Sequence, residues 1–460
     1  MQKWLPAALD YIPQWLQYQV RLSDQPGCVI AIADEGRIVL EQAFGDANVI
    51  RKTVLTPRHR FRIGSHSKSF TAAGILKLRE QGNLRLDDSV GTYIDGLHPM
   101  VASATITQLL AHGAGIARDG LDGAHWHDRR PFPDPAQLRG ELATAPIIEP
   151  NTRFKYSNLG YGLLGLTIEA VTGRPYRDWI REAIIAPAGL AETEPDMSAQ
   201  DDLALAQGHG TKWPLGRRMV IPGDNPTNAL AAATGFVSTA ADLALFFAQL
   251  DPAAGRSVLS VASRREMTHP LWRYPQASGE RSYGLGVIGG RAGEWDWFGH
   301  SGAFQGFIST TGVLTGHGLT VSLLTNSVDG PTAAWFDGVV HILATFANQG
   351  APIEEVRDWT GRWWSLWGAV DLVPMGRRVM VGAPALGKPF QDSAQLDVRE
   401  DCGTIHFSVG LAAHGEGVKR VRSRNGKIEE VWLGATKYIP EAEFSDELRE
   451  RYGNYSGADR

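Results

Sequence analysis

Strand-forming runs stand at both ends of the first 350 residues of this chain, with helix-forming runs between them. Near the start, GCVIAIADEGRIVLEQAFG holds two β-rich stretches broken by Asp34, Glu35 and Gly36, a hairpin pattern. Past residue 280 the same texture returns in SYGLGVIGG, GFISTTGVLT and GLTVSLLTNS. Between them lie helical segments: Ser65 to Gln81, closed by Gly82 and Asn83; TITQLLAHGAG; YSNLGYGLLGLTIEAVTG, closed by Gly173; and TAADLALFFAQL, with Thr239 as N-cap. A last helix, PTAAWFDGVVHILATFANQG, opens on Pro331 and closes on Gly350. This order predicts one antiparallel sheet that the chain leaves and re-enters, an α+β arrangement.

Beyond about residue 355 the texture becomes all β, in short runs that include the hairpin VKRVRSRNGKIEEVWL, turned at Asn425 and Gly426. Two domains are therefore expected, 1–350 and 355–460. Trp359, Trp363, Trp364 and Trp367 cluster where the second begins, and are assigned to packing and strand pairing rather than to a ligand platform. At the N-terminus, Leu5, Leu9, Ile12, Leu16 and Val20 recur at helical spacing. Asp10, Gln14 and Gln17 break any secretory apolar core, and no small-residue cleavage site follows, so an amphipathic surface helix is expected there. No uninterrupted apolar run is long enough for a bilayer, and a cytoplasmic location is expected.

A net charge of -5, with Lys and Arg dispersed, argues against nucleic acid as a partner. Cys28 and Cys402 are far apart in sequence, which fits a reducing compartment and no disulfide.

The chemistry concentrates in three short motifs. In FRIGSHSKSF, Ser65 and Lys68 are three apart at a helix start, so hydroxyl and amine share a face and the serine sits at the positive end of the helix. That is a nucleophile beside a base. RFKYSNLGYG supplies Tyr156 and Asn158 just before a helix, and FGHSGAFQGF supplies His300, Ser301 and Gly302 at the lip of a strand.

Taken in this order, S-x-x-K, Y-x-N and H-x-G resemble the serine β-lactamases and penicillin-binding proteins, including class C β-lactamases, family VIII esterases and D-aminopeptidases. The resemblance covers roughly residues 1–350. TITQLLAHGAGI and ATGFVSTAADLALF resemble further segments of that family. It implies a β-lactamase/transpeptidase-like fold, an antiparallel sheet flanked by helices plus an all-helical region. The C-terminal region resembles the β-rich, lipocalin-like barrel appendages of some relatives. It further implies Ser65 as nucleophile, Lys68 as its base partner, Tyr156 as proton shuttle and Asn158 as orienter of substrate or lysine. His300 becomes the third-motif residue, with Ser301, Gly302 and Ala303 along the substrate, and the backbone N–H groups of Ser65 and Ala303 form the oxyanion hole.

The implied activity is a serine hydrolase working through an acyl-enzyme on small amides or esters, short peptides or D-amino-acid derivatives foremost. The alternatives are acyl transfer or peptide cyclisation from the same acyl-enzyme, and a penicillin-binding sensor that acylates once and stalls. The expected partner is a small-molecule or short-peptide substrate, with no membrane, no cofactor and no metal, and with homo-oligomers open. Where many relatives carry Lys-Thr-Gly, this chain has His-Ser-Gly, which replaces a fixed cation by a titratable group and weakens the case for β-lactam hydrolysis.

Three other readings compete. GHSGA nearly matches the G-x-S-x-G elbow of α/β-hydrolases around Ser301, a motif that needs a helix after the turn. His125, His127 and Asp128 could be metal ligands, though a polar loop over the cleft is the expected role of that segment. Ser67 is expected to be a helix residue beside the site and His112 a packing residue.

Overall fold

The computed structural model describes residues 2–197, 204–276, 279–409 and 413–453. They fall into two compact units, 24–336 and the combination of 1–23 with 337–460. These packing units cross the division expected from sequence at the first helix and within the helix Thr332–Gln349.

In the unit 24–336, nine antiparallel strands form one sheet. Gly27–Asp34 pairs on one side with Arg37–Asn48 and on the other with Leu319–Thr325, Cys28 lying opposite Thr325. The sheet then continues through Phe307–Leu314, Trp295–Phe304, Ile288–Ala292, Gly279–Tyr283 and Trp272–Gln276. The chain does leave this sheet, re-enters it at the far edge with Trp272–Gln276, and works back until Leu319–Thr325 lies beside its own first strand. Every residue of Leu319–Thr325 is buried, as a strand covered on both faces should be.

The excursion is helical. Ser67–Glu80 is buried on nearly every side along its first ten residues, which marks it as a central helix rather than an amphipathic surface one. Its start is tighter than expected, because Gly64–His66 forms a 3-10 turn before the α-helix proper. Asn158–Thr172 begins with the Ser157 hydroxyl accepting the Gly160 N–H at 2.9 Å and ends at Gly173 with φ 66°. Ala240–Leu250 starts at Thr239, whose hydroxyl accepts the Asp242 N–H.

In the other unit, eight antiparallel strands follow one another in sequence order from Gly361–Ser365 to Thr436–Tyr438. The first strand closes on the end of the last. Trp364 N–H donates to Ile439 C=O at 2.8 Å and Ile439 N–H to Trp364 C=O at 2.9 Å, one bridge that nearly closes the sheet into a barrel. Trp359, Trp363, Leu372, Val379, Leu396 and Val431 fill its core. Trp367 departs from the packing assigned to the four tryptophans. It lies 91% exposed at the turn after Gly361–Ser365, because a hairpin tip has no opposing layer to bury it. The helix Leu5–Leu22 belongs to this unit, with Leu5, Ile12, Trp15 and Leu16 buried and the Tyr11 hydroxyl donating to Asp371 at 2.9 Å. Cys28 and Cys402 are free thiols. Among the described residues no helix is long and apolar enough to cross a membrane.

Candidate active site

Two glycines bring the serine turn against the third-motif strand. Gly64 adopts φ 52°, and a Cβ there would stand 2.5 Å from the Ala303 carbonyl oxygen. A Cβ on Gly302 would stand 1.9 Å from the Ile63 carbonyl oxygen. Backbone therefore lies on backbone, a closeness only glycine permits. Behind this contact His66 bridges Ile63 C=O at 3.1 Å and the Thr311 hydroxyl at 3.1 Å, while Ser67 donates to Gly64 C=O at 2.6 Å and accepts from Phe236 N–H. Ser67 is thus a brace of the turn, beside the site as expected.

The strand Trp295–Phe304 is paired with Ile288–Ala292 only as far as Gly299. From His300 onward that edge is open. Phe304 faces Phe307 across the two-residue turn Gln305–Gly306, so alternate residues bond across the hairpin and Ala303 directs its N–H toward the open edge, beside Gly64.

Lys68 is fully buried. Its Nζ lies 2.7 Å from Asn158 Oδ1, 2.8 Å from Ala233 C=O and 3.3 Å from Ser65 Oγ. A neutral amine has two N–H donors and one lone pair. Asn158 and Ala233 accept the donors, which leaves the lone pair for the Ser65 hydroxyl. Burial, countered by the charge of Asp119 and reinforced by that of Arg118, pushes the Lys68 amine well below its ordinary range.

Tyr156 lies with its ring centroid 4.7 Å from Lys68 Nζ. Burial raises its hydroxyl, and a hydrogen bond with Ser65 and the Arg118 charge pull only partly the other way. A cation lowers a phenol, as Arg118 does here, but burial outweighs it and the nearer cation is weakened. The lysine that would supply the cation is itself held toward neutrality by the same dry surroundings.

The third motif is oriented differently from its expected role at the strand lip. His300 sits inside the strand, 1% exposed, with Ser301 and Ala303 on the opposite, exposed side. Ser157 N–H donates to His112 Nδ1 at 3.1 Å; His112 Nε2 then meets the Tyr283 hydroxyl at 3.1 Å, and that hydroxyl meets His300 Nε2 at 3.1 Å. His300 Nδ1 completes the row on Ser301 C=O at 2.6 Å. The Ser301 carbonyl can only accept, so His300 carries a proton on Nδ1. Burial, with His66 and Lys68, holds it well below the ordinary imidazole range. His112 packs on the Tyr156 ring, centroids 4.2 Å apart, and is a strut in this row.

The structure brings Ser65, Lys68, Tyr156, Asn158 and the Ala303 backbone together and turns His300 away. Ser301 lies mid-strand opposite Thr310 with no helix after it, so the hydrolase-elbow reading fails on geometry. His125 is buried among Trp126 and Phe132, and no group of three or more His, Cys, Asp or Glu residues able to hold a metal forms among the described residues. Asp119, Tyr283 and the Ala233 carbonyl were not singled out from sequence. Asp119 lies three residues beyond the end of the family-like segment TITQLLAHGAGI, and no local period marks it.

The buried imidazoles also set a pH dependence. Burial pushes His66 down to about 4 from an ordinary 6.5. The unfolded chain binds that proton near 6.5, so stability is full above this value and is lost as pH falls toward 4, by roughly 3 kcal/mol for His66 alone. His112 and His300 act with the same sign. Urea unfolding at pH 7 and pH 4.5 checks this: the midpoint drops at acid pH, and His66→Asn removes part of the drop.

Comparison with known proteins supports the fold. Penicillin-binding protein 4* of Bacillus subtilis is 35% identical over 170 residues, which cover 36% of this chain and 37% of that protein. The chain thus matches little more than a third of the length of this curated relative. Among solved structures, the octameric penicillin-binding protein homologue from Pyrococcus abyssi superposes with a TM-score of 0.65 at 23% identity, covering 94% of this chain and 99% of that one. A D-stereospecific amidohydrolase from Streptomyces sp. gives 0.57 at 25% identity, over 68% and 94% of the two chains. The β-lactamase family model matches residues 16–342, and with most of its length so matched the chain belongs to the β-lactamase family.

Proposed function

We propose that this protein is a serine hydrolase that forms an acyl-enzyme at Ser65 and acts on small, uncharged amides or esters, D-amino-acid derivatives and short peptides foremost. One observation carries the reading: a fully buried lysine whose two N–H donors are taken by Asn158 and Ala233 and whose remaining position faces the Ser65 hydroxyl.

In this mechanism Ser65 Oγ attacks the carbonyl carbon and gives its proton to the Lys68 amine. The oxyanion is met by the N–H groups of Ser65 and Ala303, a reading supported by the close approach of turn and strand at Gly64 and Gly302. Tyr156, held protonated by burial, donates its proton to the departing amine or alcohol and is reprotonated from the Lys68 ammonium. Water, activated by the same groups, then adds to the ester carbon and releases Ser65. The substrate preference follows from His300. A neutral imidazole turned toward Tyr283 offers no cation for a substrate carboxylate at the strand edge. The amidohydrolase likeness supports D-configured amides.

Incubation with p-nitrophenyl butyrate, D-alanine p-nitroanilide and nitrocefin, followed by intact-mass and peptide mapping, checks the reading. The expected outcome is steady turnover of the ester or anilide, a transient acyl mass on the Ser65 peptide, and much slower reaction with anionic nitrocefin. One stoichiometric burst with a lasting adduct would make the protein a sensor, and amine-dependent product in place of acid would make it an acyltransferase.

A further inference from the structure

Asn158 serves the Lys68 amine in only one of its two amide orientations. Its Oδ1 must face Nζ, which puts Nδ2 on the other side, and there Asp119 Oδ1 accepts from it at 2.6 Å. A flipped amide would set donors against an amine that needs acceptors, and a carbonyl against a carboxylate. The same Asp119 oxygen accepts the Trp126 indole N–H at 2.9 Å, while Oδ2 lies 3.2 Å from Arg118 Nε. Trp126 in turn packs edge-on to Phe304, at the turn that ends the third-motif strand, with ring centroids 6.1 Å apart.

Resting on the reading of Lys68 as the base, we propose that Asp119 is a positioning residue: its carboxylate holds the Asn158 amide toward Lys68 and ties that orientation to the loop carrying Trp126. Asp119 touches neither Ser65 nor the open strand edge where a substrate would lie. It acts through Asn158.

Asp119 also contributes charge. The groups around Lys68 are the Asp119 carboxylate, the Arg118 guanidinium, the phenols of Tyr156 and Tyr161, and the imidazoles of His112 and His300. Asp119 is the anion of this set, and its attraction favours the ammonium form of Lys68. Removing that charge makes the amine easier to deprotonate. Since a neutral Lys68 is the base, kcat/KM rises with pH through its titration, and loss of the anion displaces that rise to lower pH.

The pH profile of kcat/KM for p-nitrophenyl butyrate separates position from charge. In Asp119→Asn, the oxygen that accepts from both Asn158 and Trp126 is kept while the charge goes. The plateau should stay within about threefold of wild type and the acid limb should move down by about one pH unit. In Asp119→Ala the amide loses its anchor, and the plateau should fall by about 10-fold to 10²-fold. An unmoved acid limb in Asp119→Asn, or an undiminished plateau in Asp119→Ala, would overturn the proposal. Ser65→Ala in the same assay keeps the two readings apart, since activity surviving there removes the proposed function whatever the Asp119 variants do.

Discussion

Ser65→Ala lowers kcat/KM for p-nitrophenyl butyrate by at least about 10³-fold, with the thermal midpoint nearly unchanged. Ser65 is half-buried in the turn Gly64–His66, and its hydroxyl meets only the Lys68 and Tyr156 side chains, whereas that of Ser67 ties the backbone of Gly64 to that of Phe236. Folding should tolerate its removal. Catalysis should not, because Lys68 and Tyr156 both converge on that one oxygen. Residual activity would come only from water attacking a carbonyl held at the oxyanion donors. The informative control is Ser301→Ala. Its exposed hydroxyl lies on the strand, and its loss should alter KM rather than abolish turnover. If Ser301→Ala were dead and Ser65→Ala active, the assignment of the nucleophile would be reversed.

Gly302→Ala is expected to cost at least about 10² in acylation rate and about 1–3 kcal/mol or more in stability. The added Cβ would meet Ile63 C=O at 1.9 Å, Ser309 Oγ at 2.6 Å and His66 Nδ1 at 2.9 Å. The first of these is backbone and cannot swing aside. The strand must move away from the serine turn, which parts the N–H groups of Ser65 and Ala303 and loosens the His66 brace. Gly140→Ala is the matched control, because a Cβ there meets nothing within 4 Å inside the helix Pro135–Leu142. Stopped-flow release of p-nitrophenol, read beside thermal unfolding, measures both effects. A Gly302→Ala enzyme that acylates at the wild-type rate would show that the close backbone contact is dispensable.

Much of the architecture was legible because it rests on local rules. Thr239 and Gly173 cap helices where a side chain or φ freedom requires. Asn425 and Gly426 lie between two paired strands, as an Asn-Gly pair should. Spacing alone placed Lys68 on the face of Ser65, since residues three apart share one side of a helix.

Properties that sum over distant segments were not legible. Whether Lys68 is a solvated cation or a dry amine depends on Asn158 and Ala233, 90 and 165 residues away. Tyr156 is lowered by the Arg118 charge yet raised further by burial, since desolvation acts on it and on Lys68 at once. His300 lies in the motif anticipated for it, yet strand alternation and the Tyr283 hydroxyl turn it from the cleft. Barrel closure between Trp364 and Ile439 joins residues that no local pattern relates. Sequence alone thus determined which groups could do chemistry and on which elements they stand, because turns, caps and helical spacing act within a few residues. Tertiary structure alone decided their protonation and the direction each one faces, because burial and hydrogen-bond partners are supplied by chain far away.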